Sequence, residues 1–283
     1  MDAVFRKFFA AVILVVFMLS AQIAAAEDYD WSKAPRIGSK AELARYVENG
    51  RRRGQTVFHV VITNDSIFPS AWRIGYIDKN DFADIIPCRD YKPIHTYIDD
   101  KGMQMVFRVI EYPGTRVANA YLSREPHIAW KNLTAEEQKL YNIAVGIVDK
   151  ANKLPSEVEK ARYIHDEICK RVLQYKNEND RNKTAIGVLI DGYAQCQGFS
   201  DVFYMLGRMS GLNIGRICGL SKDENGQWTI KHAWNFITFS DGRSYCVDVN
   251  NGFTTKGTYL FCATKERMEK THQCEWSIIP NLQ

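Results

Sequence analysis

The chain has 283 residues, is 46% hydrophobic and 12% aromatic, and carries a formal net charge of +4. That share of apolar and aromatic side chain excludes a disordered or low-complexity protein, and so small a charge leaves no electrostatic footprint for nucleic acid. The length allows one large domain or a smaller module in front of a catalytic one, and two modules are expected.

Residues 1–26 are expected to be a targeting segment. Arg6 and Lys7 precede an apolar run from Phe8 to Leu19, and Ala24, Ala25 and Ala26 offer a small-residue cleavage site. The run is shorter than the ~20 residues a membrane helix needs. The mature chain is therefore expected to begin near Glu27, outside the cytoplasm (in the periplasm, at the cell surface or secreted), with no stable membrane span. Cleavage removes Asp2, Arg6 and Lys7, which takes the charge from +4 to +3.

Ser39 followed by Glu42 is a capping box, and Leu43, Tyr46 and Val47 share one face of a short helix that Gly50 should stop. The basic triplet Arg51-Arg52-Arg53 beside Gly54 then reads as a solvated turn. Thr56 to Thr63 and Met103 to Tyr112 are β-branched and aromatic and predict strands, with a hairpin at Asp99 to Gly102 leading into the second. Residues 27–131 thus predict a small α+β module.

The character changes at Asn132, where residues 132–283 begin the expected second module. Thr134 with Glu137 and Ser156 with Glu159 start two helices. The stretch Gly192-Tyr193-Ala194-Gln195-Cys196 leads into a third, with Phe199, Val202, Phe203, Leu206 and Met209 at helical spacing until Gly211. Strands are predicted over 214–220, 228–239 and 243–249, and a further one over 259–263. Helices followed by an antiparallel sheet predict an α+β fold.

Seven cysteines (Cys88, Cys169, Cys196, Cys218, Cys246, Cys262 and Cys274) in an exported chain are expected to form disulfides and leave at least one thiol free. The connectivity stays open, with Cys262 to Cys274 as a local loop. Cys196 at a helix N-terminus lies where unpaired N–H groups and the helix dipole favour the thiolate, the nucleophilic form. His232 lies in an aromatic strand, Lys231-His232-Ala233-Trp234-Asn235-Phe236, and Asp248 lies in the apolar stretch after the hairpin. A three-residue loop, Ser240-Asp241-Gly242, with Gly242 left-handed would pair Phe239 with Arg243. Asp248 then falls diagonal to His232 on the same face, whereas a two-residue turn would throw it to the other. His165, beside Asp166 and Glu167 on a helix, reads as surface polar. No cysteine or histidine pair has CxxC or HxxxH spacing, so neither a metal nor a cofactor is expected.

Gly192 to Ser200, Lys231 to Asn235 and Tyr245 to Asn250 together resemble the three motifs of the transglutaminase-like superfamily. The order agrees as well, with His232 36 residues after Cys196 and Asp248 16 after His232. The resemblance covers roughly residues 132 to 260 and implies a papain-like core with a Cys196–His232–Asp248 triad. Cys196 would attack a protein or peptide amide, form a thioester and pass the acyl group to water or an amine, with hydrolysis preferred over cross-linking. The Cys196 N–H would serve the oxyanion, together with Gln195, Gln197 or Tyr175. The implied partner is a protein or peptide, cell-wall and surface-associated ones included. The rival is a binding module that keeps the fold and recognises such peptides without catalysis.

Overall fold

The computed structural model describes residues 29–74, 77, 79–176 and 179–283. The targeting segment expected over residues 1–26 lies outside the described residues. The first elements are β1 (Arg36–Ile37), α1 (Lys40–Arg52), β2 (Val57–Ile62), α2 (Pro69–Ile74), α3 (Lys79–Ile85), β3 (Asp90–Asp99) and β4 (Gly102–Ile110). Four helices follow: α4 (Pro113–Tyr121), α5 (Pro126–Lys131), α6 (Ala135–Ala151) and α7 (Glu157–Arg171). Then come β5 (Gln174–Tyr175), β6 (Tyr193–Ala194), α8 (Cys196–Met209), β7 (Asn213–Lys222), β8 (Trp228–Thr238), β9 (Ser244–Val247), α9 (Val249–Thr255), α10 (Lys265–Met268) and β10 (His272–Gln273). The fold is α+β. Among the described residues no helix is long and apolar enough to cross a membrane.

Two four-stranded sheets organise the chain, in the orders β1-β2-β4-β3 and β10-β7-β8-β9. The first is antiparallel except for the short β1, and α1 to α3 bury Phe58, Phe68, Phe82 and Phe107 against it. The second is antiparallel throughout and is covered on one face by α8, with α4, α6 and α7 packed around that helix. Every residue of α8 except Gln197 is buried. An amphipathic helix would expose one side, so α8 is the central element of this core.

The expected caps are present, since Thr134 and Glu137 complete a capping box on α6 and Ser156 caps α7. On α1, Ser39 accepts from Glu42 N, but Glu42 reaches the Gly38 N–H instead of the cap residue. Gly50 does not stop α1. A Cβ there would come within 2.4 Å of the Phe58 ring, so glycine serves a close helix–sheet approach and the helix runs to Arg52.

The reading of the basic triplet as a solvated turn is thereby corrected. Arg51 is 3% exposed and makes a two-pronged ion pair with Glu111, 2.7 Å at each prong, while Arg52 pairs with Glu48 at 2.9 Å. Burying a guanidinium costs several kcal/mol unless it is paired and hydrogen-bonded, and the Pro87 carbonyl supplies a further acceptor at 2.9 Å. A second buried pair joins α8 to β7, and its carboxylate also reaches Gly114 at the start of α4. Asp201 takes Arg216 Nη2 at 2.5 Å and the backbone N–H groups of Gly114 and Ala185 at 3.1 and 2.8 Å.

Candidate active site

The segment around Cys196 is shaped by two glycines, one on each side of it. Gly192 adopts φ +78°, a conformation that side chains avoid, and turns the chain into β6, which pairs in parallel with β5 so that Tyr175 lies beside Ala194. Gly198, in the first turn of α8, has no room for a Cβ, which would sit 2.3 Å from the Asn182 carbonyl oxygen. Gln195 N donates to that same oxygen at 2.8 Å, which fixes the start of the helix. Cys196 is then the first residue of α8. Gln195 provides no side-chain cap, so the first N–H groups of the helix are without an intrahelical partner.

His232 stands on β8 opposite Gly219 of β7. The hairpin has the predicted register, with Phe239 N donating to Arg243 O and Gly242 at φ +82°. Asp248 does not continue the strand. β9 ends at Val247, and Asp248 is the N-cap of α9, where Oδ1 accepts from Asn251 N at 3.1 Å. The other oxygen, Oδ2, lies 3.0 Å from His232 Nε2. One carboxylate therefore both caps a helix and holds the imidazole.

Both side chains are buried, at 8% exposure for His232 and 3% for Asp248. Burial by itself would push the His232 ring toward the neutral form. The Asp248 charge and hydrogen bond, with the Cys196 thiol as a further partner, outweigh it and raise the imidazole to about 10. Burial likewise opposes ionisation of Asp248, but His232 and then His272 hold its carboxyl well below the usual range. With Nε2 engaged by Asp248, Nδ1 is the ring nitrogen left for the thiol.

Cys196 and His232 open onto a cleft of about 790 Å³ that is also lined by Tyr175, Gln197, Gly219 and Glu275. Of the three side chains considered for the oxyanion, Gln195 is committed, since its Nε2 donates to the Asn179 carbonyl at 3.1 Å. Tyr175 is 40% exposed on the cleft, and Gln197 is the half-buried residue of α8 beside Cys196.

Two histidines were not singled out correctly in the sequence. His272, on β10 opposite Ser221, is buried with Nε2 3.2 Å from Asp248 Oδ2 and its ring edge-on to Trp234 at 4.8 Å. His165 is buried as well, which corrects its reading as surface polar. Its Nδ1 meets Asp166 at 2.8 Å, and its Nε2 lies against Gly252 of α9, where a Cβ would be 2.2 Å away.

The expectation of disulfides is also corrected, because all seven cysteines are free thiols. They come from separate parts of the chain, and Cys196, Cys218 and Cys274 share the cleft without being bonded. Cys262 lines a hollow with Phe239 and Tyr245, while Cys274 lines the cleft with Cys196. Burial pushes Cys88, Cys218, Cys246 and Cys262 up to about 12 and Cys169 to about 11, and it raises Cys274 further.

Residues 143–249 match the sequence profile of the transglutaminase-like superfamily. This segment is a transglutaminase-like core. It contains Cys196, His232 and Asp248 and agrees with the resemblance read from the three motifs. Among solved structures, a crystal structure of a TGase is similar at 14% identity and a TM-score of 0.36, over 75% of this chain and 59% of that one. A structure from Parabacteroides distasonis ATCC 8503, provisionally described as a protease, is similar at 13% identity and a TM-score of 0.29, over 53% and 29%. No curated protein sequence matches the chain.

Proposed function

We propose that the protein is a cysteine-dependent hydrolase or acyltransferase acting on protein or peptide amides, with Cys196 as nucleophile, His232 as its acid–base partner and Asp248 as the group that orients the imidazole. The observation that carries this reading is the buried His232–Asp248 pair at 3.0 Å, set beside a cysteine at an uncapped helix N-terminus in an open cleft. The Cys196 sulfur attacks the amide carbonyl carbon, and His232 delivers its proton to the leaving amine, so the C–N bond breaks and a thioester remains. Water or a second amine then takes the acyl group, with hydrolysis the preferred outcome. The backbone N–H of Cys196 receives the developing oxyanion, and Gln197 or Tyr175 supplies the side-chain donor.

The two-module division, residues 27–131 before residues 132–283, and placement outside the cytoplasm belong to the same proposal. The first rests on the change of sequence character at Asn132 and the second on residues 1–26. The test is a peptide map after iodoacetamide treatment near neutral pH, together with ammonia and free-amine release from glutamine-containing protein substrates. Selective labelling of Cys196, slowed about a hundredfold in His232→Ala, with product release lost in Cys196→Ala, supports the reading. An unreactive Cys196 overturns it in favour of a binding module on the same fold.

A further inference from the structure

Three ligand atoms of the kinds that suit a transition metal converge behind the cleft: His232 Nε2, His272 Nε2 and Asp248 Oδ2, all within 4.8 Å of one another. The two imidazole nitrogens lie 3.0 and 3.2 Å from the shared oxygen. A tetrahedral zinc ion with bonds of about 2.0 to 2.1 Å has ligand-to-ligand edges of about 3.3 Å, so two of the three edges are already near that length. His272 Nε2 is buried and, although close to the carboxylate, lacks the alignment of a hydrogen bond. A metal bond would satisfy that nitrogen more fully than its off-line approach to the carboxylate does.

We propose that His232, Asp248 and His272 form a zinc-binding site whose occupation takes His232 and Asp248 out of the triad and blocks the enzyme reversibly. The outer contacts are those that metal ligands need. Thr271 Oγ1 lies 2.8 Å from His272 Nδ1 and turns Nε2 toward the carboxylate, and Asn251 N holds the second oxygen of Asp248. Zinc takes the lone pairs of both Nε2 atoms, so any protons there leave to solvent, and water fills the fourth position. Access runs through the cleft, which His232 and Gln273, the neighbour of His272, both line. Local spacing gave no sign of such a site, because the ligands are separated by 16 and 24 residues and meet only in the folded sheet.

Binding of zinc is independent of the catalytic reading, whereas the inhibition rests on it. The test is equilibrium dialysis of chelator-stripped protein against zinc at pH 7.5, comparing wild type, Cys196→Ser, His272→Ala and His272→Gln, each checked for folding by circular dichroism. One zinc per chain in wild type and Cys196→Ser, with affinity at least about tenfold weaker in both His272 variants, is the expected result. Loss in Cys196→Ser with retention in the His272 variants would assign the metal to the cleft thiols Cys196, Cys218 and Cys274 and overturn the proposal, as would no binding by wild type. Cobalt substitution is a check that needs no variant, since a thiolate-to-cobalt charge-transfer band also refutes the site. Iodoacetamide labelling of zinc-free Cys196 judges the catalytic reading separately.

Discussion

Replacing Asp248 by Asn removes the charge on which His232 depends while keeping the side chain's size and its ability to cap α9, since Asn is as good an N-cap as Asp. In the native protein the imidazole stands at about 10 against 6.5 for an ordinary histidine, a difference of about 3.5 units. At about 1.4 kcal/mol for each this is on the order of 5 kcal/mol, the upper end of the roughly 3 to 5 kcal/mol lost when a buried ion pair loses one partner. In Asp248→Asn only Cys196 is left against the burial that opposes the charged ring, so the His232 midpoint should fall toward 6.5. Because the folded value lies above the unfolded one, the stability His232 contributes is complete below about 6.5 and is lost as pH rises through 10. The melting temperature of the wild type should therefore fall between pH 7 and 10 more steeply than that of Asp248→Asn. Nuclear magnetic resonance of ¹³C-labelled histidine reads the midpoint directly. A wild-type His232 that titrates near 6.5, or an Asp248→Asn ring still protonated at pH 9, refutes the electrostatic account.

Gly198→Ala should lower stability by about 1 to 3 kcal/mol, since its Cβ meets backbone rather than a movable side chain; thermal melting measures this, and slower alkylation of Cys196 would report the displaced helix start. Arg216→Met strands the fully buried Asp201 and should cost about 3 to 5 kcal/mol, with much of the loss absent when Asp201→Asn is added; urea unfolding of the four-protein cycle checks the coupling. Cys88, Cys169, Cys218, Cys246, Cys262 and Cys274 are held as thiols by burial and should resist iodoacetamide at pH 7.5 until the chain is unfolded. Rapid native labelling of Cys218 or Cys274, both on the cleft, would contradict that.

The parts of the fold written in local chemistry were legible. Caps at Ser39, Thr134 and Ser156 started helices where expected, and the loop Ser240-Asp241-Gly242 set the strand register because a left-handed glycine admits one pairing. What failed depended on partners distant in sequence. Arg51-Arg52-Arg53 looked solvated because Glu111, the partner of Arg51, lies 60 residues away. The helices α2 to α5 lack caps of the Ser-x-x-Glu type and were not anticipated, and the strand expected at 259–263 survives only as a bridge between Ala263 and Cys246. The disulfide expectation rested on the proposed compartment, and the packing of the cysteines onto separate elements does not follow from it.

The site divides along the same line. Cys196, His232 and Asp248 were legible because a helix start and one hairpin suffice to bring them near each other. Asp248 was assigned to the strand because Val247 and Val249 flank it with apolar side chains, yet Val249 begins α9 and the acid between them is its cap. That detail matters to mechanism, since Oδ1 is held by a helix N-terminus and Oδ2 is thereby aimed at the imidazole without a further side chain. His272 escaped notice for the opposite reason. It sits on a two-residue strand 24 residues past Asp248, and only the pairing of Ser221 with His272 carries it to the carboxylate. A strand that short has no periodicity to read, so a second imidazole on Asp248 could be found only once the sheet was assembled.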